Sequence, residues 1–139
     1  MGARQITRVV LDTNIVVSAL LFAGPAEKVH DLWRSHSILP LATADMVKEY
    51  ARVLSYPKFR LSEKEVSLLL QEEILPYIEP VRVSETPSMV GEDPSDDMFF
   101  ACALAGRASF IVSGDKRVIA VRTYRGIPVV SLNEFLLRH

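Results

Sequence analysis

At 139 residues, of which 49% are hydrophobic, the chain has the size and composition of a single domain with one core, spanning residues 1–139. Its formal net charge of −1 argues against a uniformly basic nucleic-acid-binding protein, and its single cysteine excludes a disulfide framework or a cysteine metal site. No apolar run reaches the length of a membrane span and the first residues lack a signal-peptide core, so we expect a cytoplasmic protein with no membrane partner.

The first predicted element is a strand that ends abruptly in polar residues. Residues 9–11 form a continuous apolar run, which is typical of a strand buried on both faces in a parallel sheet. Asp12 follows at the carboxyl end of this strand, where open α/β sheets place their ligand crevice. A simpler interpretation also stands, in which Asp12, Thr13 or Asn14 only caps the next helix, over residues 15–21.

Glu49 stands out among the elements that come next. Pro25 begins a helix to about residue 36, residues 38–42 form a second strand, and Thr43 caps a helix that ends before Pro57. On that helix Glu49 lies at the border of the apolar face and points partly inward, where an unpaired carboxylate is costly. Either it pairs with Arg52 or Lys48, or it meets a ligand.

The rest of the chain continues the alternation of strands and helices. The predicted elements are a capped helix over residues 62–75, a strand over 78–83, a polar loop over 84–95, a fully apolar helix over 98–105, a strand over 110–112, a helix over 116–124, a strand over 127–130 and a final helix that begins at Ser131. Cys102 lies in the apolar helix and is expected to be a buried small hydrophobe. The alternation predicts an α/β fold, a three-layer α/β/α sandwich around a mainly parallel sheet of about five strands.

Four acidic residues occupy positions that point inward or end a core strand. They are Asp12, Glu49, Asp97 and Asp115. If they converge on one crevice, their mutual repulsion would be relieved most simply by a hard divalent cation, Mg²⁺ or Mn²⁺. Each also has a simpler explanation as a helix cap, a turn residue or an ion-pair partner, and only the joint pattern favours a site.

The histidines narrow the predicted reaction. His30, His36 and His139 lie away from every acidic cluster in the sequence, so a triad or two-histidine mechanism has no base. Metal-assisted hydrolysis of a phosphodiester fits the residues that are present. In that hypothesis the supporting polar groups, which hold water or a phosphate oxygen, are Thr13, Asn14 and Ser113.

The near-neutral net charge conceals a basic end. Between residues 62 and 97 ten acids stand against two basic residues, whereas residues 106–139 carry six basic residues against two acids. A basic patch of this kind suits a phosphate backbone, although a solvated helix face explains most charge runs. Lys116 and Arg117 are the predicted contacts to the substrate.

Three stretches of the sequence resemble one known family. They are Val9-Val10-Leu11-Asp12-Thr13-Asn14, then Asp93-Pro94-Ser95-Asp96-Asp97-Met98-Phe99-Phe100-Ala101, and finally Val112-Ser113-Gly114-Asp115-Lys116. In order and spacing they look like the signatures of PIN domains, and more narrowly of VapC-like ribonucleases, the toxins of toxin and antitoxin pairs.

The resemblance extends over essentially the whole chain and implies a PIN-like fold. It implies Mg²⁺-dependent or Mn²⁺-dependent endoribonuclease activity, inhibition by a cognate antitoxin protein, and a homodimer or higher homo-oligomer. Position by position, it makes Asp12, Glu49, Asp97 and Asp115 the catalytic and metal-binding acids. Asp96 is the alternative to Asp97, which is preferred because Phe100 and Ala101 then fall one turn further on.

Two other classes of function stay open on the sequence. The first is a haloacid-dehalogenase-like phosphatase with Asp12 as the covalent nucleophile, although such enzymes usually have an acid where this chain has Asn14. The second is a non-catalytic RNA-binding or assembly module.

Overall fold

The computed structural model describes residues 6–84 and 97–139. In these residues the strands are β1 Thr7–Leu11, β2 Ile38–Ala42, β3 Glu79–Pro80, β4 Phe110–Ser113, β5 Thr123–Tyr124 and β6 Ile127–Ser131. The α-helices are α1 Thr13–Leu21, α2 Pro25–Arg34, α3 Ala44–Leu54, α4 Glu63–Leu69, α5 Asp97–Ala105, α6 Lys116–Ile119 and α7 Leu132–Arg138. A short 3₁₀ helix spans Pro57–Phe59, and a π-helix, Leu70–Ile74, continues α4.

The strands form one six-stranded sheet in the order β3-β2-β1-β4-β6-β5. Every neighbouring pair is parallel except β5 and β6, which are antiparallel. Helices cover the sheet, and α2 packs against α7 while α3 packs against α5. The predicted three-layer α/β/α sandwich is therefore confirmed, with six strands in place of about five.

Strand β1 occupies the centre of the sheet, as its apolar run predicts. Val9, Val10 and Leu11 are at most 1% exposed, and β1 pairs with β2 on one side and β4 on the other. The ladder continues one residue past the strand, because the backbone N–H of Asp12 donates to the carbonyl of Val112 over 3.0 Å. The carboxyl ends of β1 and β4 thus lie side by side and present their polar residues at one edge.

The predicted strand over residues 78–83 is much shorter in the structure. Only Glu79 and Pro80 pair with β2, and the backbone N–H of Val81 adds one further bond to the carbonyl of Ala42 over 2.9 Å. Pro80 has no N–H to donate, which suits the last strand of a sheet. Of the predicted loop over 84–95, only Ser84 belongs to the described residues.

The predicted helix over residues 116–124 was wrong in its second half. It ends at Ile119, and Thr123–Tyr124 instead forms β5, which is joined to β6 by the two residues Arg125 and Gly126. Both have positive φ, 49° and 85°, which is the backbone of a type I′ hairpin turn. The sequence Arg-Gly lacks the asparagine or aspartate that usually marks such a turn, so the hairpin was not predicted.

The interior is apolar and continuous around β1 and α5. The residues of α5 from Phe99 to Ala103 are buried, whereas Leu104 and Ala105 at its end are exposed. Burial raises the pKa of the Cys102 thiol to about 12, in keeping with the prediction of a core residue.

None of the helices in residues 6–84 and 97–139 is long and apolar enough to cross a bilayer.

Candidate active-site cleft

A cleft of about 280 Å³ opens at the carboxyl edge of the central strands. Its lining consists of Asp12, Thr13, Asn14, Glu49, Val53, Tyr56, Lys58, Phe59, Met98, Phe99 and Asp115. Three of the four predicted acids therefore share one cavity, although they are far apart in the sequence. This is the convergence that the site hypothesis needs.

Asp12 is fixed by hydrogen bonds from two directions. Its Oδ1 accepts from the backbone N–H of Ile15 over 3.0 Å, which makes Asp12 the N-cap of α1. Its Oδ2 accepts from the hydroxyl of Ser113 and from the backbone N–H of Gly114, the latter over 3.1 Å. Asp12 therefore caps α1, as the simpler interpretation predicts, and it also lines the cleft, where its role in a functional site stays a prediction.

The carboxyl group of Asp12 is only 5% exposed, and its burial raises its pKa above the ordinary value. The hydrogen bonds from Ser113, Ile15 and Gly114 lower the pKa again in part, while the negative charge of Asp115 raises it. A buried acid with a perturbed pKa that faces a cleft is typical of a functional site. A cation in the cleft would favour its ionised form.

Glu49 reaches the cleft from α3 and forms an ion pair with Arg52 on the same helix. Nε of Arg52 donates to Oε2 of Glu49 over 3.0 Å, and Nη2 donates to Oε1. Arg52 also donates to the hydroxyl of Tyr56 over 2.7 Å. The half-buried carboxylate is therefore met by an arginine, which is one of the two outcomes that its position predicts.

Asp115 has a similar arginine partner. It is the N-cap of α6 and accepts from the backbone N–H of Arg117 over 2.8 Å and from Nη2 of the same arginine over 3.2 Å. The hydrogen bonds and charge of Arg117 hold the pKa of Asp115 below its ordinary value. Asp115 therefore stays ionised over a wide pH range, and Arg117 acts on the site through this carboxylate.

Asp97 begins α5 and is 8% exposed. It does not itself line the described cleft, but Met98 and Phe99, the residues directly after it, do. The structure thus places Asp97 beside the cavity, and its alternative, Asp96, lies outside the described residues.

Two of the predicted polar groups line the cleft, and the third bonds to the acids that line it. Thr13 and Asn14 line the cleft, and Oγ1 of Thr13 is buried with no hydrogen-bond partner in the described structure. Ser113 is fully buried and connects two acids, because its hydroxyl donates to Asp12 and accepts from the backbone N–H of Asp115 over 3.0 Å. Lys116 lies outside the cleft and lines a neighbouring groove with Arg122 and Arg138.

The side chains that line the cleft are of the chemical type that binds a hard divalent cation, but their arrangement fits such a cation less well. Among the described residues, no group of three or more acidic, histidine or cysteine side chains is placed to hold a metal ion. Glu49 and Asp115 instead form ion pairs with Arg52 and Arg117. The donors themselves are carboxylate oxygens with an unsatisfied hydroxyl at Thr13, the ligand types that Mg²⁺ and Mn²⁺ prefer.

Part of the cleft lining was not predicted from the sequence. Tyr56, Lys58 and Phe59 come from the 3₁₀ turn between α3 and α4 and form an aromatic and basic portion of the cavity. The signal that would have found them is a pair of aromatics around Pro57 and Lys58, directly after the helix that carries Glu49.

Comparison with known proteins is consistent with this geometry. A sequence model of the PIN domain matches residues 8–117, a span that includes all four predicted acids. The crystal structure of PAE2754 from Pyrobaculum aerophilum is similar with a TM-score of 0.56 and 14% sequence identity, over 99% of this chain and 97% of that one. At that identity the similarity shows the fold alone. None of the curated proteins matches the chain.

Proposed function

Because the chain belongs to the PIN domain family, whose members are generally nucleases, we propose that it is a Mg²⁺-dependent or Mn²⁺-dependent endoribonuclease that hydrolyses RNA phosphodiester bonds. We further propose that it works in the cytoplasm as the toxin of a toxin and antitoxin pair and forms a homodimer or higher homo-oligomer. These finer statements rest on the resemblance of its motifs to VapC-like ribonucleases.

One observation carries the catalytic proposal. Asp12, Glu49 and Asp115 lie in three different elements of the fold but line the same cleft at the carboxyl edge of the sheet. Carboxylate oxygens that converge on one cleft are the ligand type that a hard divalent cation prefers. None of the described histidines lines this cleft, which favours a mechanism without a histidine base.

In this proposal Asp12, Glu49, Asp97 and Asp115 would hold the cation, and Thr13 and Asn14 would be the supporting polar groups. When bound, the cation would lower the pKa of water, orient the phosphodiester and neutralise the charge that develops on the leaving oxygen.

The chain's own residues orient the acids. Ser113 and the backbone N–H of Gly114 fix the direction of the Asp12 carboxylate, and the same hydroxyl positions the backbone of Asp115. Arg52 holds the side chain of Glu49 in place, and Arg117 does the same for Asp115 and keeps that carboxylate ionised. The site is thereby kept anionic while the arginines limit the repulsion among its carboxylates.

The experiment compares RNA cleavage by the parent protein and by Asp12→Asn with Mg²⁺, with Mn²⁺ and with EDTA. We expect cleavage by the parent with either cation, none in EDTA and at least a hundredfold loss in the variant. Asp31→Asn is the matched control, because Asp31 is exposed on α2 and lies outside the cleft lining. Equal cleavage by parent and variant in all three conditions would overturn the proposal.

The toxin assignment has its own test. Controlled expression of the parent should arrest growth, Asp12→Asn should not, and co-expression of the protein encoded by the neighbouring gene should restore growth to the parent. Equal growth arrest by the parent and by Asp12→Asn would show that the toxicity does not depend on the cleft.

A further inference from the structure

The turn between α3 and α4 gives the acidic cleft an aromatic and basic portion. We call the residues Phe22, Tyr56, Lys58 and Phe59 the aromatic rim. Tyr56, Lys58 and Phe59 line the cleft itself, and the ring of Phe22, at the end of α1, lies 6.0 Å from that of Phe59 between centroids. The rim therefore continues from the interior of the cleft to the surface.

Core packing explains only part of this rim. Phe59 packs against the small apolar cluster that includes Val17, Val53 and Leu54 and is half-buried. Phe22, by contrast, is 54% exposed although it is a large apolar side chain at a helix end. A single exposed apolar side chain is ordinary, but Phe22 contacts Phe59 of the cleft lining, so the two rings form one continuous aromatic surface beside the cavity.

The rim also carries positive charge. Nζ of Lys58 lies 5.1 Å from the centroid of the Phe59 ring and has no ion pair in the described part of the chain. Arg60, next in the chain, is exposed. An unpaired cation over an aromatic face, directly beside carboxylates, suits a ligand that brings both a π-face and a negative charge.

We propose that the aromatic rim is a base-binding subsite for single-stranded RNA. An unstacked base lies against Phe59 and Phe22, Lys58 contacts the phosphate beside that base, and the strand continues into the cleft past Asp12. Single strands offer such free bases, whereas paired bases in a duplex have their faces covered. The subsite adds a substrate contact to the proposed function. It rests on that function, from which it takes the identity of the strand as RNA.

The hydrogen bond from Arg52 to Tyr56 connects the subsite to the acids. Arg52 bonds Glu49 and Tyr56 at once and lies 5.4 Å from the centroid of the Tyr56 ring. Arg52 therefore contacts the aromatic rim at Tyr56 and the acidic part of the cleft at Glu49.

The test measures binding without cleavage, in EDTA, by fluorescence anisotropy of labelled short RNA strands. The key comparison is a strand with all its bases against an abasic strand of the same length and charge. The parent should bind the abasic strand roughly tenfold more weakly, because base stacking on aromatic side chains is lost. Phe59→Leu should bind the complete strand as weakly as the abasic one, and Phe59→Trp should restore the difference.

Two further variants separate the base contact from the phosphate contact. Lys58→Ala should weaken the binding of both strands alike. It should also reduce the slope of log affinity against log salt concentration by about one. Leu137→Ala, which alters an exposed leucine on α7, is the control and should bind as the parent does. Thermal unfolding of each variant verifies that Phe59→Leu, which keeps an apolar side chain of similar volume, is folded.

The subsite is overturned if the parent binds complete and abasic strands equally, or if Phe59→Leu keeps the full preference for bases. If Phe59→Leu keeps that preference, the aromatic rim would instead be a surface on which a protein docks. Because no cleavage is measured, a failure of the nuclease proposal appears separately, as base-dependent binding without metal-dependent hydrolysis.

Discussion

The hydroxyl of Ser113 donates a hydrogen bond to the carboxylate of Asp12, although the two residues are 101 positions apart. The contact exists because β1 and β4 are parallel neighbours and both end at the same edge of the sheet. It is one of the interactions that keep the pKa of a deeply buried acid from rising further.

Replacement of Ser113 by alanine should shift the acidic limb of the activity profile toward higher pH. The variant loses the hydrogen bond that lowers the pKa of Asp12, so a higher pH is needed to ionise that carboxylate. We expect roughly tenfold less activity at mildly acidic pH and partial recovery at higher pH, measured as initial rates of RNA cleavage over a pH series.

Ser131→Ala is the matched control for this prediction. Ser131 also ends a parallel strand, β6, but its hydroxyl accepts from the backbone N–H of Glu134 and caps α7. The control should lose about 1 kcal/mol of stability and keep the parent's pH profile. If both serine variants show the same profile, Ser113 has no special effect on Asp12.

The buried carboxyl group of Asp12 should make stability depend on pH. Its pKa in the folded protein is raised, so the folded state binds more protons than the unfolded state once the pH exceeds the ordinary pKa of aspartate. The free energy of unfolding, taken relative to Asp12→Asn, should therefore fall as pH rises from about 4 to the raised pKa and then level off.

Urea unfolding of both proteins in EDTA over a pH series measures this difference. Addition of Mg²⁺ at high pH should restore stability to the parent and leave Asp12→Asn unchanged, because the cation binds the ionised carboxylate. A difference between the two proteins that is constant with pH would show that Asp12 titrates at its ordinary value.

Gly106→Ala should destabilise the fold, because a Cβ at this position has no room. It would lie 2.8 Å from Cδ1 of Leu41 and 3.0 Å from Cγ2 of Val81. Overpacking of this kind costs about 2 kcal/mol, measured by chemical denaturation. Gly114→Ala is the control, since the nearest atom to its Cβ would be Cδ1 of Ile15 at 4.0 Å, and its stability should be within about 0.5 kcal/mol of the parent.

Asp97→Asn and Asp96→Asn should differ in activity. Asp97 is buried directly before two cleft residues, so we expect its replacement to reduce RNA cleavage at least a hundredfold. Asp96→Asn should keep activity within severalfold of the parent. The reverse order would assign the metal-binding role to Asp96.

The central sheet was predictable because its signal is local. The continuous apolar run before Asp12 predicts a strand buried on both faces, and residues 38–42 form the second strand as expected. The caps at Thr43, Ser62 and Ser131 were equally predictable, since each side chain accepts the backbone N–H that helix starts leave unpaired.

The arrangement within the site was less predictable, because it depends on contacts between distant elements. That Asp12, Glu49 and Asp115 share a cleft follows from the topology that their positions suggest. The sequence allowed Glu49 to pair with Arg52 or Lys48 and did not indicate which, and the Arg117 partner of Asp115 follows from the tight cap of α6. The aromatics on either side of Pro57 and Lys58 are visible in the sequence, but their place in the aromatic rim depends on how a short turn folds back beside α1.

The two outermost strands of the sheet restrict how copies of this chain can associate. At one margin β3 offers two residues, one of them a proline, and at the other β5 is a two-residue arm of a tight hairpin. Within residues 6–84 and 97–139, neither of these two-residue strands presents enough unpaired backbone to template another chain. A homodimer would therefore have to be built through helices, and open-ended growth into filaments by strand addition is disfavoured.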